Sequence, residues 1–121
     1  MLFDYALFQK AACDKKDREN LRFLIDQLIS YCIKARKEGL LSLEDVKDEA
    51  PDLFVKQSLG LILTGIDPDI FQDILITTIN ASQSRGKQLL TLMIEATGLL
   101  ALETGLNPEL ARIQMEAFLG D

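Results

Sequence analysis

Three cations and five acids flank one glycine. Lys34, Arg36 and Lys37 come just before Gly39, and Glu44, Asp45, Asp48, Glu49 and Asp52 follow it, so charge changes sign across that point. Residues of this type and spacing offer ion-pair chemistry, and two readings stay open. Cations in the last turn of one helix and acids in the first turn of the next complement the helix dipoles. The same cluster can equally dock a partner of opposite charge pattern.

Other chemistry has little to stand on. The chain has no histidine, which removes the commonest general base, proton shuttle and metal ligand. Its two cysteines, Cys13 and Cys32, form no CxxC pair, so neither a zinc site nor a disulfide framework is expected. Phosphate-cradling and nucleophile-elbow motifs are absent. Asp69 and Asp73, one helical turn apart, could in principle hold a divalent ion, but no loop has calcium spacing. Ser84 and Lys87 make no known Ser–Lys catalytic arrangement. A non-enzymatic chain without cofactor or metal is the expectation.

The elements that position the charges read as helical throughout, with no alternating strand pattern and no hairpin turn. All three prolines share one pattern: Ala50-Pro51-Asp52-Leu53, Asp67-Pro68-Asp69-Ile70 and Asn107-Pro108-Glu109-Leu110. Proline at a first helical position loses no needed N–H, and Asp67 and Asn107 are good caps. Leu2–Ala12 reads as a short helix and Asp14–Asp17 as a turn. A strong helix is predicted from about Arg18 to Glu38 on the stripe Leu21, Leu24, Ile25, Leu28, Ile29, Cys32 and Ala35, with Cys32 in the core. Gly39 suits the left-handed residue after a helix end. Ser42 is expected to cap a short helix, Leu43–Glu49, with Asp45 completing an imperfect capping box. Pro51 then opens a helix that Gly65 closes, and Pro68 opens the next, to about Ser84. Whether Ala81–Gln88 is a loop or the waist of one long helix is open. Lys87–Glu103 is apolar on more than one face, so it must be central or meet another copy. The likeness of Gly39–Glu44 to Gly98–Glu103 is too short to define a repeat.

These elements suit a single all-α domain over residues 1–121, a compact bundle of about five or six helices. Apolar residues make up 48% and charged residues 26% of the 121, ordinary for a soluble chain. The net charge of −6 opposes nucleic-acid phosphates and anionic membranes. The start, Met-Leu-Phe-Asp-Tyr-Ala, lacks the basic region of a signal peptide. No apolar run is long enough to span a bilayer, so the chain reads as cytoplasmic and not membrane-embedded. Met1 and the closing Leu119-Gly-Asp121 read as the two ends of a gene product.

The pattern Arg36-x-x-Gly39-x-x-x-Leu43-Glu44, within Lys34-Ala-Arg-Lys-Glu-Gly-Leu-Leu-Ser-Leu-Glu44, resembles the cytoplasmic signature of the flagellar motor stator subunit, the MotA family. The likeness extends through Asp17–Ile33 and Phe54–Asp69, where Leu61-Ile-Leu-Thr-Gly-Ile-Asp-Pro68 is similar to the family's helix-Gly-x-Asp-Pro turn. It covers about two thirds of the chain, most strongly 17–85. The resemblance implies that Arg36 and Glu44, with Lys34, Lys37 and Asp45 beside them, meet charged residues of the rotor switch protein or of a stator subunit. It also implies an oligomer. Gly39, Gly65 and Pro68 are the structural turn residues. The departures matter as much. There is no hydrophobic helix pair before residue 17 or after residue 85, and the channel threonines and proline have no counterpart. Glu95, Glu103, Glu109, Arg112 and Glu116 stand where the family enters its third membrane helix, spaced among apolar residues as in a soluble amphipathic helix. The alternative function is a self-associating helical module with no charged docking role.

Overall fold

The computed structural model describes residues 2–120; Met1 and Asp121, on which the reading of two natural ends rests, lie outside the described residues. Seven α-helices and three 3-10 turns are present among them, with no strand. The helices are α1 (Tyr5–Lys10), α2 (Lys15–Glu19), α3 (Arg22–Glu38), α4 (Leu53–Leu63), α5 (Pro68–Ser82), α6 (Gly86–Thr104) and α7 (Pro108–Glu116). The all-α class stands. The count exceeds the expected five or six because Asp14 does not make a plain turn. Its carboxylate accepts from Asp17 N at 2.8 Å and so caps α2. The strong helix consequently begins at Arg22 rather than at Arg18, after a tight bend at Asn20 and Leu21.

The three proline sites divide by what precedes each proline. Asp67 accepts from Asp69 N and Ile70 N, and Asn107 from Glu109 N, so Pro68 and Pro108 are first helical residues as expected. Ala50 has no acceptor to offer. The cap passes to Asp52, which accepts from Val55 N at 2.9 Å, and Pro51 stays outside α4. Residues 81–88 are a break and not a waist, since Gln83 closes α5 at φ 55° and α6 starts at Gly86.

α6 is the central element. It packs against α3, α5, α7, α4 and α1, and its buried residues run all round: Leu89, Leu90, Met93, Ile94, Glu95, Ala96, Gly98, Leu99, Ala101 and Leu102. The α3 stripe of Ile25, Leu28, Ile29 and Cys32 meets it, joined by Phe71, Leu75 and Ile79 of α5 and by Val55, Leu59 and Ile62 of α4. Gly98 is required by a close approach. A Cβ there would stand 2.8 Å from Met115 Sδ and 3.2 Å from Leu28 Cδ1. Gly39 lies in a turn, Gly98 within a helix, so the two similar segments adopt different structures. Phe3, Phe8 and Phe118 close the N-terminal segment onto the end of α7, with Phe8 and Phe118 stacked at 5.5 Å.

Candidate functional site: a charged turn over a buried carboxyl

α3 ends at Gly39, whose N–H donates to Ala35 O at 2.8 Å. Its backbone, φ 89° and ψ 161°, lies in a region that is essentially glycine's alone. This is not the left-handed helical turn expected, because ψ is extended; it sends the chain sharply away from the α3 axis. The residues after it form two 3-10 turns, Leu40–Asp45 and Lys47–Glu49, instead of an α-helix over Leu43–Glu49. Ser42 does not cap. Its hydroxyl donates back to Gly39 O at 2.6 Å, within the turn, and no side-chain cap hydrogen bond starts a helix there. Asp45 accordingly completes no capping box, and Leu43, fully buried, anchors the turn in the core.

The sequence-predicted docking residues are only partly brought together. Lys34 Nζ bridges the turn to Asp45 at 3.7 Å and also meets Glu38 at 3.2 Å. Glu44 pairs with Lys47 at 3.3 Å, and Asp48 with Lys56 at 3.4 Å. Arg36 and Lys37 are exposed, and no ion pair joins either to another described residue. Two residues along a helix is about 200° of rotation, so Arg36 points away from the Lys34–Asp45 bridge. It lines a cavity of about 210 Å³ with Cys32, Leu40, Leu102 and Glu103. Arg36 and Glu44 therefore do not meet each other; they mark two rims of the Gly39 turn. Gly65, at φ 76°, follows the end of α4.

Beneath the acidic end of the turn lies a residue that sequence reasoning placed on a surface. Glu95 is 0% exposed, and neither carboxyl oxygen has a hydrogen-bond donor. Burial pushes its pKa from 4.5 up to about 10, and the facing Asp52 carboxyl raises it further. Protonated, Glu95 has in Asp52 an acceptor for its O–H; ionised, it would have no donor at all. Tyr31 is also buried here, its hydroxyl accepting from Gln27 Nε2 at 3.0 Å. Burial raises its pKa, the Gln27 hydrogen bond lowers it, and Glu49, Asp52 and Glu95 raise it. Two turns on, Glu103 repeats the theme, its Oε2 buried without a donor and its pKa raised by burial and then by Asp67. Each glutamate of α6 thus opposes an aspartate that caps another helix. The only sequence signal was an acid at the centre of an otherwise apolar 89–102 stretch.

Little else is arranged for chemistry. A cavity of about 630 Å³ between α5, α6 and α7 is lined by Phe3, Phe8, Thr97, Leu100, Gln114 and Phe118 among others, and by no ionisable side chain. Asp69 and Asp73 are exposed, and no group of three or more His, Cys, Asp or Glu among the described residues could hold a metal ion. Among the described residues no helix is long and apolar enough to cross a membrane.

The chain is similar to Motility protein A of Borreliella burgdorferi, with 38% identity over 64 residues, 53% of this chain and 25% of that protein. It is also similar to Uncharacterized protein YtxD of Bacillus subtilis, with 32% identity over 73 residues, 60% of this chain and 27% of that protein. The chain spans about a quarter of the length of these curated relatives. No family model matches the chain, and no solved structure matches it.

Proposed function

We propose that this chain is a non-enzymatic, cytoplasmic protein resembling the MotA cytoplasmic region, which docks on a flagellar rotor or stator component through the charged surface around Gly39. The observation that carries the reading is the state of the charges there. Lys34 and Asp45 are tied across the turn, whereas Arg36 and Lys37 stand exposed with no ion pair to another described residue. Unpaired cations cost no internal bridge when they bind a partner carboxylate. The partial likeness to Motility protein A supports a motility-related role, and the resemblance of the Arg36–Glu44 signature to the MotA family points to the rotor switch protein or another stator subunit as the partner to test.

The tied residues frame the surface. Lys34–Asp45 ties the first 3-10 turn to α3 and Glu44–Lys47 links it to the second, and each exposed bridge is worth at most about 1 kcal/mol. Contacts made by Arg36, Lys37 and Glu44 are of the same size. Affinity is therefore modest, and it weakens as salt screens the charges.

Binding of the full chain to the C-terminal domain of the rotor switch protein, at low and high salt, tests this. Arg36→Glu and Glu44→Lys are each expected to weaken binding and reduce its salt dependence. Wild-type binding that both variants leave intact would move the site elsewhere; no wild-type binding at low salt would refute docking on that partner.

A further inference from the structure

Glu95 is a fully buried acid without a donor, on the helix against which most of the fold packs. Of the elements around α6, α4 brings Asp52 to face it and α3 brings the Tyr31 phenol. Among the described residues no charge from α1, α5 or α7 acts on it, and no cation does. The group is consequently stable there only as the neutral acid, with Asp52 to receive its proton in a hydrogen bond.

The element that covers it is α4, whose segment packs on α6 and, through the first 3-10 turn, on α3, so that lifting it must part both faces. α4 has its main contacts with α6 and with the two 3-10 turns that precede it. The segment runs between Gly39 and Gly65, both at positive φ. Its underside is Leu43, Val55, Leu59 and Ile62, all buried. We propose that the segment between Gly39 and Gly65 is a proton-coupled flap, which lifts from α6 with release of one proton from Glu95, so that acid holds it closed and alkali favours opening. In the lifted state Glu95 reaches water and ionises; closing takes the proton back, and no other group need change. The opening equilibrium then shifts about tenfold per pH unit wherever the open state is ionised and the closed state is not. The flap carries Glu44 and Asp45, so opening also draws them away from Lys34 and Arg36. That last consequence rests on the proposed docking surface; the flap itself does not.

Amide hydrogen exchange on the full chain from about pH 5.5 to pH 8 tests it, because local openings are read amide by amide. Chemical exchange alone quickens about tenfold per pH unit. Amides of α4 are expected to quicken about a hundredfold per unit, the extra tenfold coming from the linked proton, while those of α3 and α7 keep the chemical slope. In Glu95→Gln the α4 slope falls to tenfold. Glu95→Leu, which also cannot ionise, gives the same result by another route. A tenfold slope for α4 in the wild type, or a hundredfold slope kept by both variants, would overturn the proposal. An equal hundredfold slope in α3, α4 and α7 would also overturn it, by showing whole-chain unfolding rather than a flap. Failure to bind the rotor protein would leave these slopes untouched.

Discussion

Replacing Glu95 by glutamine should stabilise the chain at neutral pH, and the structure gives the size of the effect. The carboxyl has a pKa of about 10 when folded against an ordinary 4.5. A pKa raised on folding contributes stability that is complete below about pH 4.5 and is lost as pH rises toward 10. The loss runs at about 1.4 kcal/mol per pH unit. At pH 7 the unfolded group is well past its pKa of 4.5 while the folded group is still protonated, so the folded protein has forgone about 3 kcal/mol, against a typical total of about 5–15 kcal/mol. Glutamine has the shape of the neutral acid, can donate to Asp52 and has no proton to lose. Urea denaturation followed by helical circular dichroism, from pH 5 to pH 8, measures the result. Wild-type stability should fall across that window, and the Glu95→Gln curve should be flatter and higher by about 3 kcal/mol at pH 7. Few other shifted groups intrude. The Glu19 carboxyl, lowered by its hydrogen bond with Arg22, acts below the window, and Cys32, pushed up to about 11, acts above it. Glu103 is raised and so adds a slope of the same sign, which Glu103→Gln subtracts. A flat wild-type profile, or a glutamine variant less stable than wild type at pH 7, would refute the buried neutral acid.

Three further outcomes follow from the packing. Gly98→Ala should cost about 1–2 kcal/mol, the overpacking against Met115 and Leu28 exceeding the roughly 1 kcal/mol of helix propensity gained; in a Met115→Ala background the same change should become favourable, and equal costs in both backgrounds would remove the steric explanation. Gly39→Val should lower the melting temperature more than Ser42→Ala, since valine is strained at φ 89° while the serine change removes one exposed hydrogen bond to Gly39 O; equal melting points would contradict the turn geometry. At pH 7.5 a thiol reagent should label half-buried Cys13 before buried Cys32, whose thiol burial holds near pKa 11, and urea should abolish the difference; simultaneous labelling of native protein would contradict the burial of Cys32.

What was legible in the sequence depended on whether the signal was local. Apolar spacing located α3, α5 and α6 because each buries residues on a helical period, and the Asn107-Pro108 cap located α7. Capping was legible where the acceptor preceded the proline, at Asp67 and Asn107, and was misplaced at Pro51 because Ala50 cannot accept. The 3-10 geometry of Leu40–Glu49 was not legible. It follows from Gly39's extended positive-φ backbone and from burying Leu43, which are tertiary facts. The cluster of charged types was plain, but which charges pair was not: the Lys34–Asp45 bridge depends on how the turn folds back. Glu95 was misread for the same reason, because an acid in an apolar helix marks a surface unless every side of that helix is covered.

That coverage bears on the choice between docking and self-association. The argument for a second copy came from the several apolar faces of Lys87–Glu103, which one partner could not hide. In the fold, α3, α4, α5 and α7 take those faces between them, and the large apolar side chains left most exposed, Tyr5, Phe23, Leu41, Leu53 and Ile113, belong to other elements. The pattern is accounted for within one chain and ceases to argue for another. The charged turn is different in kind. Its paired residues are explained by tying the two 3-10 turns together and the first of them to α3, but none of the described residues pairs with Arg36 or Lys37 as a charge. A helix dipole would be served by any cations in the last turn, so the dipole alone does not distinguish one from two or three. The residue that internal energetics leaves unemployed, Arg36, is also the one that the stator-like signature singles out, and for that reason it is the position at which charge reversal separates a docking surface from a decorated helix end.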